Sequence, residues 1–170
     1  MQRQPTLLNS CARAATAAEA RFRISERDVP PRASRIVALD ELAADIVRRL
    51  AARRWSGGHF LAFETVVRAN GSGGGQDDVT LRSPGGSVLL SDELSGADVV
   101  VMIATARASA EAASVIGDAC AARGIMSAGL VIHGAGTADD VVSSLRPNAM
   151  VLVVVEDEGD VPEILTALRV

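Results

Sequence analysis

Three apolar runs dominate the second half of the chain: ADVVVMIAT at 97–105, IMSAGLVIH at 125–133 and AMVLVVVE at 149–156. Each is strand-sized and apolar on both faces, the pattern of a buried strand in a sheet covered by helices on both sides. The segments between them follow helix rules. Residues 108–122 form a helix that ends at Gly124. Thr137 with Asp140 makes a capping-box-like start to a helix that Pro147 ends, and Asp160 with Glu163 caps a last one. Strand and helix alternating at this spacing imply right-handed parallel crossovers, because a twisted strand feeding a helix packs back onto its sheet with that hand.

The first half is less regular. RIVAL (35–39) is a short apolar strand followed by Asp40 as an N-cap. Leu42, Ile46, Val47 and Leu50 recur at helical spacing through 41–55, with Arg48, Arg49, Arg53 and Arg54 mostly opposite, and the glycines of SGG (56–58) stop that helix. HFLAFETVV (59–67) reads as a strand. ANGSGGGQDD (69–78) is glycine-dense, but it lacks the strand-to-helix setting and spacing of a dinucleotide fingerprint, so it reads as a flexible loop. VTLRSPGGSVLL (79–90) reads as two short strands about Ser83-Pro84-Gly85-Gly86, where proline followed by glycine suits a type II turn. The expected fold is α/β: a three-layer, Rossmann-like, mostly parallel sheet flanked by helices, with a short hairpin-like insertion. One such domain spans 35–170, preceded by a partly flexible basic arm at 1–34.

Composition narrows the chemistry. The 170 residues are long enough for one domain with a real core. Hydrophobic residues make up 48% of the chain and aromatics 2%, so that core is aliphatic. No run reaches the length of a membrane span. All 17 basic residues are arginine. Without lysine there is no Schiff base, no pyridoxal phosphate anchor and no Walker A loop. Tyrosine is absent too, which removes a tyrosine general acid. Cys11 and Cys120, and His59 and His133, show no metal spacing, and the cysteines read as plain thiols of a reducing, cytoplasmic compartment.

Charge is uneven. Six arginines against three acids put residues 1–32 at +3, which leaves the remainder at −7. An acidic body with few aromatics argues against nucleic acid as a partner, since phosphate neutralisation needs a basic face and base stacking needs rings. The arm lacks the compact apolar centre of a secretory signal, and its arginine, alanine and serine content resembles a mitochondrial presequence apart from its three acids. Otherwise it reads as a mobile or partner-docking segment.

In a doubly wound sheet, ligands collect outside the C-terminal strand ends, beside helix N-termini. That rule selects Thr105, Arg107 and Ser109 after the first apolar run, and His133, Gly134 and Gly136 after the second. It selects Glu156, Asp157 and Glu158 after the third, and Glu64 if its strand ends there. Thr105 and Ser109 carry hydroxyls suited to an anion at a helix start, and Arg107 suits bidentate contact with the same group. His133 carries the imidazole that general acid or base chemistry uses near neutral pH, or else is a structural strand-end histidine. The acidic run 156–160 offers the carboxylate oxygens that Mg²⁺ favours, or else a solvated loop at a helix start. No Ser-His-Asp order, metal-ligand spacing or nucleophile elbow is present, and no catalytic residue is assigned.

The segment GADVVVMIATARASAEAASVIGDACAARGIMSAGLVI (96–132) resembles the central part of the FtsZ/tubulin nucleotide-binding domain, in which an apolar strand after Gly-Ala-Asp leads to a phosphate loop, a helix and another strand. The resemblance covers under a quarter of the chain. It departs where the family has its glycine-rich loop: here ARASAEA (106–112) puts side chains where glycines would allow close backbone approach, so the likeness implies a nucleotide-domain plan without GTPase activity. Thr105, Ser109 and Glu111 are also similar to the strand-end loop of sugar isomerase (SIS) domains, which implies a phosphosugar. The resulting expectation is a domain that binds a small anion, a nucleotide or phosphorylated metabolite, through Thr105, Arg107, Ser109, His133, Gly134, Glu156 and Asp157, with its cofactor unassigned. The alternatives are an interaction module or homo-oligomeric subunit that uses the arm, and an Mg²⁺-dependent phosphotransfer or hydrolytic enzyme.

Overall fold

A computed structural model describes residues 31–67, 78–134 and 138–170. The arm up to residue 30, the glycine-dense loop up to residue 77, Gly136 and Thr137 lie outside the described residues, and Ser34, expected in the arm, opens the first strand. Residues 31–170 form one compact unit. In chain order its elements are β1 (Ser34–Ala38), α1 (Glu41–Ala51), β2 (Gly58–Val67), β3 (Asp78–Ser83), β4 (Gly86–Leu89), α2 (Leu90–Leu94), β5 (Val99–Thr105), α3 (Ala110–Arg123), β6 (Met126–Ile132), α4 (Asp139–Leu145), β7 (Val151–Val155), a 3-10 turn (Glu158–Asp160) and α5 (Val161–Ala167).

The sheet has seven strands in the order β4-β3-β2-β1-β5-β6-β7. β2, β1, β5, β6 and β7 are mutually parallel, and β3 and β4 add an antiparallel hairpin outside β2. Numbered among themselves, the parallel strands run 2-1-3-4-5, one of the common doubly wound orders. The chain leaves β1 in one direction and β5 in the other, so the topological switch point lies between their C-terminal ends.

Side-chain alternation along the strands builds two aliphatic cores. On one face Ile36, Val101, Ile103 and Leu130 pack under α1 and α5; on the other Val37, Val100, Met102 and Val131 pack under α2, α3 and α4. The layers are thus helix, sheet, helix, as the apolar runs require. Arg35 is the polar exception within RIVAL. It is 8% exposed, and its Nε lies 2.9 Å from Glu93 Oε2, which His59 Nδ1 also meets at 3.0 Å, tying β1 and β2 to α2.

Several local expectations are corrected. Helix α1 ends at Ala51 rather than near Trp55, because Trp55 folds back and its indole N–H donates to the Leu50 carbonyl at 2.7 Å. Its buried stripe is Ala43, Ala44, Ile46, Val47 and Leu50, whereas Leu42 stands 48% exposed. The hairpin turn is not type II: positive φ falls on Gly86 (124°), the fourth position, not on Gly85. Strand β2 continues past Glu64, which sits at a register irregularity and accepts a hydrogen bond from Ser87, away from any strand end. Asp160 makes no side-chain cap; Asp157 does, accepting from the Gly159 N–H at 2.6 Å. The short helix α2 gave no signal, since five residues carry too little periodicity. The third apolar run, expected to be buried, is an edge strand whose Val151 and Val154 are exposed. By contrast, α3 ends where expected, at Gly124, which caps it in the left-handed conformation with φ 67°.

Candidate functional site

The switch point is held by one carboxylate. Asp40 follows β1 in extended conformation, and its Oδ1 accepts from the Ala43 N–H at 2.9 Å, capping α1. The same side chain reaches the end of β5. Oδ2 accepts from the Thr105 N–H at 2.8 Å, and Oδ1 accepts from the Thr105 hydroxyl at 2.9 Å. The Thr105 oxygen then lies 3.4 Å from the Arg107 N–H. Thr105 is 8% exposed, and its single hydroxyl proton is committed to Asp40. This clasp fixes where the loop between β5 and α3 leaves the sheet.

Beside the clasp lies a cleft of about 450 Å³ lined by Leu42, Asp45, Ile46 and Arg49 of α1, Thr105 to Arg107 after β5, Ile132 to Gly134 after β6, and Glu158. Of the residues selected from sequence, Thr105, Arg107, His133, Gly134 and Glu158 therefore meet in one place. Gly134 has φ 57°, a conformation in which any side chain would be strained, and its N–H donates to the Glu156 carbonyl at 3.0 Å. The His133 N–H donates to the Val155 carbonyl, so the ends of β6 and β7 are stitched together by backbone.

Ser109, Glu156 and Asp157 stand outside the lining of this cleft. Ser109 is the N-cap residue of α3, but its hydroxyl makes no capping bond. Glu156 is exposed and contributes its carbonyl to Gly134, while the Asp157 carboxylate is spent on the 3-10 turn.

Three participants went unassigned in the sequence. Asp40 reads there only as a helix cap, because its second bond joins residues 65 apart. Leu42 looks like one more core position, yet it sits in the first turn of α1 and lines the cleft. Arg49 looks like an ordinary surface charge, and only the fold pairs it with Glu158 across the cleft. The ion pairs found among the described residues do not include Arg107, which is exposed.

A second groove of about 400 Å³ runs between α1 and the β2–β3 edge, floored by Phe60 and Ala62. It exists because the hairpin carries the sheet beyond the cover of α1. Its two arginines, Arg48 and Arg82, are already paired with Asp45 and Glu41, and it lies away from the strand ends. Among the described residues, no three His, Cys, Asp or Glu side chains gather as a metal site would require, and no helix is long and apolar enough to cross a membrane. Cys120 is buried as a free thiol beneath α3, and burial pushes its pKa up to about 11, the nearby Arg123 acting weakly the other way. No protein-family model matches the chain, and neither a curated protein nor a solved structure matches it.

Proposed function

We propose that the chain binds a small anionic ligand, a nucleotide or phosphorylated metabolite, in the cleft at the ends of β1, β5 and β6. The observation that carries this reading is Arg107. It is exposed, it lines a cleft at the topological switch point of a doubly wound sheet, and no carboxylate among the described residues pairs with it. The position is the one in which such sheets bind ligands, and the volume falls within the range of small-molecule pockets.

Arg107 supplies the bidentate contact, and the N-terminal end of the fourteen-residue α3 favours negative charge close by. His133 and Gly134 form the opposite wall, and Leu42 and Ile46 give an apolar side for a base or sugar to rest on. Thr105 positions the loop through Asp40 and does not donate to the ligand. Arg49 is held by Glu158 across the cleft, so an incoming anion competes with Glu158 for it.

A thermal-shift panel of nucleotides, sugar phosphates and inorganic phosphate tests this reading. A stabilising shift by at least one organic phosphate is expected, because a ligand that binds only the folded state raises its stability by mass action. A flat response across the whole panel would remove the proposal.

A further inference from the structure

Strand β7 has the composition of a covered strand in an uncovered position. All five residues of VLVVV are aliphatic, yet Val151 and Val154 are 44% and 45% exposed and the preceding Met150 is 76% exposed. β7 is the last strand of the sheet, so its far side presents main-chain groups with no neighbouring strand among the described residues. The stitch to β6 shows which groups these are. Val155 gives its carbonyl to the His133 N–H, so Val151, Val153 and Val155 turn toward β6 and Leu152 and Val154 turn outward. Natural edges are usually blunted by charge, proline, a bulge or shortness. The opposite edge follows that rule: β4 has four residues and opens with Gly86 and Ser87. β7 uses none of the chemical devices.

We infer that β7 pairs antiparallel with β7 of a second copy of this chain, about a two-fold axis through Val153, so that one sheet runs through both copies. The register suits the free groups. A two-fold at Val153 sets Leu152 opposite Val154 of the second copy as a hydrogen-bonded pair, and the reverse, while the two Val153 side chains meet in the close, non-bonded position. Such a contact is isologous and closes at two copies. The charges select the direction. Exposed Arg146 closes α4 five positions before the strand, and exposed Glu156 and Asp157 follow it directly. Antiparallel pairing therefore brings the basic end of one copy to the acidic end of the other, whereas parallel pairing stacks acid on acid.

Sedimentation equilibrium of the full chain tests the contact, with Val154→Arg as the variant and circular dichroism to check folding. The wild type is expected at the mass of two chains and the folded variant at the mass of one. Val154→Pro, which removes one outward N–H and leaves the bonds to β6 in place, gives the same loss by an independent route should the arginine variant fail to fold. In a Cys11→Ser background, Val153→Cys should form a reducible dimer on mild oxidation, because the two-fold brings that position against itself. Single-chain mass for the wild type up to its solubility limit overturns the proposal. So does a folded Val154→Arg or Val154→Pro chain that stays dimeric, or a dimer that does not cross-link at 153.

Discussion

Strands β5 and β7 read alike in sequence and behave differently in the fold. Both are unbroken aliphatic runs between helices, VVVMIAT and VLVVV. Every residue of β5 is buried, and it lies between β1 and β6 at the switch point, with its last residue locked to Asp40. β7 buries only Val155 fully and ends the sheet. Apolar runs report that a strand expects cover; they do not report what supplies it. For β5 the cover comes from α1, α3 and two neighbouring strands, and for β7 half of it is missing within one copy.

The difference should be largest in stability. Ile103→Ala in β5 removes a fully buried side chain between packed layers and is expected to cost about 2–5 kcal/mol in urea unfolding. Val154→Ala, truncating a half-exposed side chain, should stay within about 0.5 kcal/mol at concentrations where the chain is a single copy. Equal costs at the two positions would break the comparison.

A smaller effect probes the clasp that gives β5 its functional end. Asp40→Ala removes the cap of α1 and strands the N–H and hydroxyl of Thr105, and losing the cap and the buried bonds together is worth about 2–4 kcal/mol. A loss below about 1 kcal/mol in the same unfolding assay would show that the clasp is incidental.

Cys120 tests the cover over that side of the sheet through pH. Burial disfavours the thiolate and pushes its pKa up from an ordinary 9.0 to about 11. The unfolded chain therefore loses the proton first as pH rises. The contribution is fully present below pH 9 and is lost as pH climbs from about 9 to about 11. Stability measured across that window should fall for the wild type and fall less for Cys120→Ala; identical slopes would contradict a buried thiol there.

The smallest expected effect lies in the cleft. Glu158→Gln frees Arg49 and removes a negative charge from the lining, which should tighten anion binding by at most about fivefold, since exposed ion pairs are worth up to ~1 kcal/mol. Weakened binding in calorimetry would show that Arg49 takes no part.

Layers, element order and the residues at the strand ends were legible because they rest on periodicity and caps, which are local. Gly124 ended α3 for that reason, and Thr105, Arg107, His133 and Gly134 fell into one cleft because parallel strands end on the same side. What escaped was set by contacts distant in sequence. The bond from Asp40 to Thr105, the pair of Arg49 with Glu158, and the burial of Arg35 against Glu93 each join separate elements. The exposure of β7 escaped for a related reason, since being last in a sheet is a property of strand order and β7 carries none of the charge, proline or bulge that usually marks an edge.

Titration calorimetry of wild type and Arg107→Ala with the organic phosphate that gives the strongest thermal shift tests the central claim most directly. If Arg107 makes the bidentate contact at the end of β5, the variant should bind more than tenfold more weakly while its urea midpoint stays unchanged. Equal affinity in the two proteins would contradict the assignment of the anion to this cleft.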